Sequence, residues 1–199
     1  MPNTTTVLNQ LQHLLPLEEF KTFVNLRKAD KYTKKLSCKD QLTILLYAQA
    51  TGKDSLREIE TALRIQDSTW YHLGLETVAR STLAAANEKR PYEIYESLFY
   101  ELLKKCQGFS FGTASFAFEN DLYAIDATTI NLCLNLFPWA HFRTAKGAIK
   151  LHTLFNVRSQ IPELIIVTDG KEADITAARS IDFGKLAFGS IITFDLGYT

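Results

Sequence analysis

Near Gly108 the hydrophobic periodicity of this chain changes, and that change limits its fold more than any other feature. Before it, apolar residues recur at three- and four-residue spacing, which lines one face of a helix. After it come short β-branched and aromatic runs bounded by Gly, Pro, Asn and Asp, which suit strands. A period of 3.6 cannot serve as a period of 2, so the chain must hold a helical part and a sheet part. Over residues 5 to 106 the pattern predicts about six short helices, with Phe20, Phe23, Val24, Leu42, Leu45, Leu46, Leu56, Ile59 and Leu63 facing inward. Ser37 with Asp40, and Ser55 with Glu58, have the spacing of capping boxes. Gly52 and Gly74 stop the helices that follow. The last helix has Pro91 in its first turn and a predicted apolar face running from Tyr92 to Cys106.

In the second part Leu122 to Ala127, Ala148 to Asn156, Leu164 to Thr168 and Ser190 to Phe194 read as strands, and Asp174 to Arg179 as a short helix capped by Asp174. Strands in succession, then a crossover helix, then another strand predict a mixed sheet of the α/β kind. The expected division is a helical domain over 1–107, a linker over 108–120 and a sheet domain over 121–199. With 199 residues, 46% apolar and 22% charged, the chain has material for such cores. Its 22 basic and 22 acidic residues cancel, so any contact with nucleic acid must use a local patch. No apolar run approaches a membrane span and no signal peptide is visible, so a cytoplasmic protein is expected. Cys38, Cys106 and Cys133 are widely separated and suit burial better than disulfides or zinc.

Two aspartates stand where apolar runs end: Asp126 closes Leu-Tyr-Ala-Ile-Asp, and Asp195 closes Ser-Ile-Ile-Thr-Phe-Asp. Carboxylates at the ends of neighbouring strands can converge on hard divalent cations; each can equally just start a turn. Thr128 and Thr129 lie close enough to Asp126 to assist, or reflect β-propensity alone. Lys146, Lys150 and His152 fall on or before the second strand. Alternation puts Lys150 and His152 on one face, where they would meet a phosphate backbone near Asp126, or else serve as an ion pair and a core histidine. Phe137-Pro138-Trp139 can stack on a base or be buried.

In the helical part, Arg27, Lys28, Lys31, Lys34, Lys35 and Lys39 are opposed locally only by Asp30 and Asp40, which suits either a phosphate-tracking patch or a solvated face. Ser55 to Arg64 and Val78 to Arg90 form a loose helix-turn-helix-like pair, with Arg80, Ser81, Thr82, Asn87, Lys89 and Arg90 able to reach DNA.

The runs Tyr123-Ala-Ile-Asp-Ala-Thr-Thr-Ile130, Lys146-Gly-Ala-Ile-Lys-Leu-His-Thr153, Thr168-Asp-Gly-Lys171 and Phe194-Asp-Leu-Gly-Tyr198 resemble transposases of the insertion-sequence-four family. Ala29-Asp30-Lys31-Tyr32, Ser37 to Gln41, Ser55 to Glu60 and Arg80 to Ala84 are similar to the helical domain that precedes the catalytic core in one branch of it. The resemblance implies an α+β architecture, a helical DNA-binding domain followed by an incomplete RNase H-like mixed sheet. It also implies a DDE transposase that cleaves and transfers DNA strands with Mg²⁺ or Mn²⁺. Asp126 and Asp195 match its first two catalytic, metal-holding carboxylates; Lys31, Lys34, Lys35, Arg80, Lys89, Arg90, Lys146 and Lys150 are the expected DNA contacts. The implied partners are double-stranded DNA at element ends and target, and further copies of the chain in a homodimer or larger oligomer. The implied location is the bacterial nucleoid. The family's third carboxylate, a Glu, falls beyond Thr199, Leu196 replaces an Arg and Ala173 a His. A chain so truncated is expected to be inactive alone, and the alternative is a non-catalytic DNA-binding protein that inhibits transposition.

Overall fold

The computed structural model describes residues 7–65, 70, 75–107, 116–132, 141–143 and 146–195, with side chains left out at 131–132, 141–143 and 146. The expected roles of Cys133, Phe137-Pro138-Trp139 and Gly74 lie outside the described residues. Two compact units result, residues 1–102 and 103–199, and the division falls between Leu102 and Leu103, inside the last helix of the helical part.

The first unit contains α1 (Val7–Leu14), α2 (Leu17–Leu26), α3 (Cys38–Ala50), α4 (Leu56–Ile65), α5 (Arg80–Lys89) and most of α6 (Glu93–Gln107). The capping box forms at Ser37: its hydroxyl accepts from the Asp40 amide, and the Asp40 carboxylate accepts from the Ser37 amide at 3.0 Å. Gly52 ends α3 at φ +61, a conformation that favours glycine. α3 is buried on two sides. One side joins Leu36, Ile44, Tyr47, Ile59, Leu63, Trp70 and Leu83, where the Tyr47 and Trp70 rings meet edge-on with centroids 4.5 Å apart. The other joins Phe20, Val24, Leu42, Ile94 and Leu98. The face of α6 buries Leu98 and Leu103 as expected and differs at its start, where Ile94 is fully buried and Tyr92 is exposed. Tyr92 lies ahead of the helix, where its carbonyl accepts from the amides of Tyr95 and Glu96, so its side chain falls outside the apolar stripe.

In the second unit a five-stranded sheet is built from β1 (Leu122–Leu132), β2 (His141–Arg143), β3 (Lys146–Asn156), β4 (Ile161–Asp169) and β5 (Ile191–Phe194). β3 pairs antiparallel with β1 on one side, and with β2 and β4 on the other; β5 pairs parallel with β1 at the far edge. Pro162 is tolerated because β4 is an edge strand, and one extra residue bulges there between the pairs Leu154↔Leu164 and Phe155↔Pro162. A short helix, α7 (Asp174–Arg179), covers one sheet face, where Ala178 and Ile181 pack on Tyr123, Ile125 and Leu154. Asp174 does not cap this helix. Ala173 occupies the cap position without a side-chain bond, and the Asp174 carboxylate turns to Lys150 instead. The end of the expected linker is held as well: the Arg158 guanidinium lies over the rings of Phe116 and Phe118 and donates to the carbonyls of Phe118 and Asn120.

Candidate functional site

Asp126 does not close its strand. β1 continues to Leu132 because Ala127 to Leu132 stay paired with β3, and the Thr-Thr-Ile that follows the aspartate suits a strand as well as the run before it. The carboxylate is exposed, and its Oδ1 accepts from the Ala127 amide at 2.8 Å. Asp195 directly follows β5. The parallel register pairs Ala124 with Thr193 and Ile125 with Phe194, so Asp126 and Asp195 each come one residue after the last pair. Neighbouring strands run about 4.8 Å apart, so the two backbones are close where Asp126 stands on one sheet face and Asp195 follows β5. Thr128 and Thr153 lie on that face too, Thr153 directly opposite Asp126.

Lys150 and His152 share a face as expected, but it is the other one. His152 pairs with Ala127 and Lys150 with Thr129, which puts both beneath α7 and away from Asp126. There Lys150 Nζ donates to Asp174 Oδ1 at 3.0 Å and to the Glu172 carbonyl at 2.9 Å. The His152 ring is fully buried, with Nε2 2.9 Å from Thr168 Oγ1 and Nδ1 3.8 Å from Asp174 Oδ1. Burial pushes its pKa down, and the Asp174 carboxylate only partly opposes this. The pair therefore anchors α7 to the sheet.

Among the basic residues of the helical unit, Lys31, Lys34, Lys35, Arg80 and Lys89 are exposed. Arg90 is not. Its guanidinium is buried and donates to the Leu36 and Ser37 carbonyls, to Gln41 and to Asp30, closing the base of the 27–36 turn. Asn87 stays exposed, with its Oδ1 accepting from Gln41 Nε2. Sequence reasoning missed this clamp because Asp30 and Arg90 lie 60 positions apart with no local signal. The side chain of Lys146 is outside the described residues. Next to the clamp, burial pushes the Cys38 thiol up to about 12, and its amide donates to Asp30 at 2.8 Å.

Asp126 and Asp195 supply hard oxygen donors of the kind Mg²⁺ and Mn²⁺ take, so the donor chemistry fits such an ion. Among the described residues no group of three or more His, Cys, Asp or Glu side chains comes together, so this fit rests on two carboxylates. No described helix is long and apolar enough to cross a membrane.

Comparison with known proteins bears on both units. Residues 3–76 match the domain of unknown function DUF4372. Residues 117–199, which include Asp126 and Asp195, match the transposase DDE domain. The chain is 27% identical over 101 residues to a probable transposase for insertion sequence element IS5377 from Geobacillus stearothermophilus. That stretch is 51% of this chain and 26% of the relative. No solved structure matches. The second unit is thus similar to the DDE domain of transposases, and the sheet that carries its two aspartates is consistent with part of an RNase H-like fold.

Proposed function

We propose that the chain is part of a DNA transposase of the insertion-sequence-four type, with Asp126 and Asp195 as the first two carboxylates of its catalytic centre. The observation that supports this most is the parallel pairing of β1, which carries Asp126, with β5, which Asp195 directly follows, within the stretch similar to a transposase DDE domain. A divalent ion held there would supply Lewis-acid activation of an oxygen nucleophile and charge stabilisation at a phosphodiester. The chain's own part is to hold both carboxylates on one rigid sheet face, with Thr128 and Thr153 as neighbouring hydroxyls. Double-stranded DNA is the proposed substrate, with Lys31, Lys34, Lys35, Arg80 and Lys89 as contacts. Arg90 and Lys150, which are engaged internally, act as positioning residues.

The second reading, a DNA-binding protein without catalysis, is favoured by the two-carboxylate donor set, which leaves an ion weakly held. Calorimetric titration with Mn²⁺ tests the centre. Binding that is lost in Asp126→Asn and in Asp195→Asn supports it, and binding unchanged in both removes it. Incubation with Mg²⁺ or Mn²⁺ and a duplex bearing an element end separates the readings: nicking that disappears in Asp126→Asn favours the enzyme, and binding without nicking favours the second.

A further inference from the structure

Beneath α7 one ring nitrogen of His152 is enclosed with nothing to bond. The residue is 1% exposed, and its Nδ1 has no hydrogen-bond partner. The bond at the other nitrogen decides which of the two carries the hydrogen. Thr168 gives its hydroxyl proton to the Asp169 carbonyl at 3.2 Å, so its oxygen accepts from His152 Nε2 at 2.9 Å, and Nε2 is the protonated nitrogen. Nδ1 therefore turns a bare lone pair toward Asp174 Oδ1, acceptor facing acceptor at 3.8 Å. We infer that His152 Nδ1 is a proton-binding site, and that a proton taken there from solvent moves Asp174 from Lys150 to His152 and releases the Lys150 ammonium.

The exchange follows from how one carboxylate oxygen is shared. Lys150 Nζ already lies 3.0 Å from Asp174 Oδ1, and a loaded ring brings a second cation to the same oxygen. Like charges so close repel, and one of them must withdraw. The ring cannot, since it is enclosed and tied to Thr168. Lys150 can: its side chain is 17% exposed, and its ammonium rides on a flexible stem and is strongly hydrated. Its departure also frees the Glu172 carbonyl. The loop base stays in place, because the Gly170 amide donates to the Ala148 carbonyl and the Lys171 and Glu172 amides donate to Asp169 Oδ1. The charged groups that bear on the ring are Lys150 on β3, Asp174 on α7 and Glu172 in the loop before it. Its paired neighbours, Ala127 on β1 and Ile166 on β4, carry no charge. Burial lowers the ring's proton affinity and so does Lys150, while Asp174 and Glu172 only partly restore it, so loading belongs to acid pH. Asp126 stands on the opposite face of the sheet, out of reach of the exchange.

The test is nitrogen and carbon NMR of the full chain over a pH series. At neutral pH the His152 ring should show a protonated Nε2 and a bare Nδ1, and both nitrogens should be protonated below a midpoint that lies under about 6.5. Across that midpoint the Lys150 side chain should gain mobility in Cε relaxation, and in His152→Gln it should stay tied over the same range. Lys150→Met removes the competing cation and should raise the midpoint. Asp174→Asn removes the acceptor and should lower it, each by roughly tenfold in proton affinity. A purely structural role would leave the midpoint still. A Lys150 side chain that remains tied once the ring is loaded overturns the exchange, as does a midpoint that neither variant moves. A ring that carries its hydrogen on Nδ1 at neutral pH, or stays neutral until the sheet unfolds, overturns the proton site itself. None of these readouts involves DNA or a metal ion, so the function proposed above stands or falls separately.

Discussion

Arg90 and Asp126 are charged residues of opposite consequence. Arg90 donates to four oxygens, those of two backbone carbonyls, the Gln41 amide and the Asp30 carboxylate, and is 7% exposed at its side chain. Replacing it by Ala leaves the buried carbonyls and Asp30 without their donor, and should cost about 3 to 5 kcal/mol in urea denaturation. Asp126 is exposed on the sheet face, so Asp126→Ala should change stability by no more than about 0.5 kcal/mol. The same substitution should abolish any Mn²⁺-dependent rise in Tm. His152 sets a pH dependence: burial lowers its folded-state pKa below its unfolded value of about 6.5, so the unfolded chain binds the proton more readily. Stability from this residue should be complete above that pH and fall as pH drops from there toward the folded value. His152→Gln should flatten the acid limb of a urea-stability profile; an unchanged limb would assign it to other groups. Cys38, buried with its thiol pushed up to about 12, should react with a disulfide reagent far more slowly than the half-buried Cys106.

The helices owe their limits to short-range signals. Ser37 satisfies the amide end of α3 through a complete capping box, and Ser37→Ala should cost about 1 kcal/mol in thermal or urea unfolding. Ser55 caps α4 in a similar way, its hydroxyl accepting from the Glu58 amide while the Glu58 carboxylate accepts from Asp54. These elements were legible because a cap and an apolar stripe sit within a few residues of each other. The apolar face of α6 was legible at Leu98 and Leu103 and misread only at its start, since Tyr92 belongs to the turn before the helix and Ile94 begins the buried stripe. β1 was read five residues short for a related reason: a single aspartate looks like a strand end unless the partner strand is known to continue beside it.

At the scale of the molecule, each unit has its own core, two clusters around α3 in the first and one beneath α7 in the second. The sheet face that carries Asp126 leaves Ile130, Val167 and Ile191 exposed at 39%, 56% and 41%. Apolar residues open on a sheet with a short edge strand invite association. Val167→Lys should therefore reduce self-association in sedimentation experiments, with little change in stability.

Periodicity and capping spacing, both local properties of the chain, determined where the helices and most strands form, and the apolar-run-then-Asp pattern singled out Asp126 and Asp195. Tertiary structure alone decided which residues share a face with them. The pairing Asp126↔Thr153 and Ala127↔His152 turns Lys150 and His152 away from the aspartates, and a one-residue shift of that register would have reversed it. The fate of Arg90 was decided in the same way, by the folding of the 27–36 turn against α3 and α6, far from it in sequence. Strand alternation can say which residues of one strand go together, but only hydrogen bonding between strands says what they face.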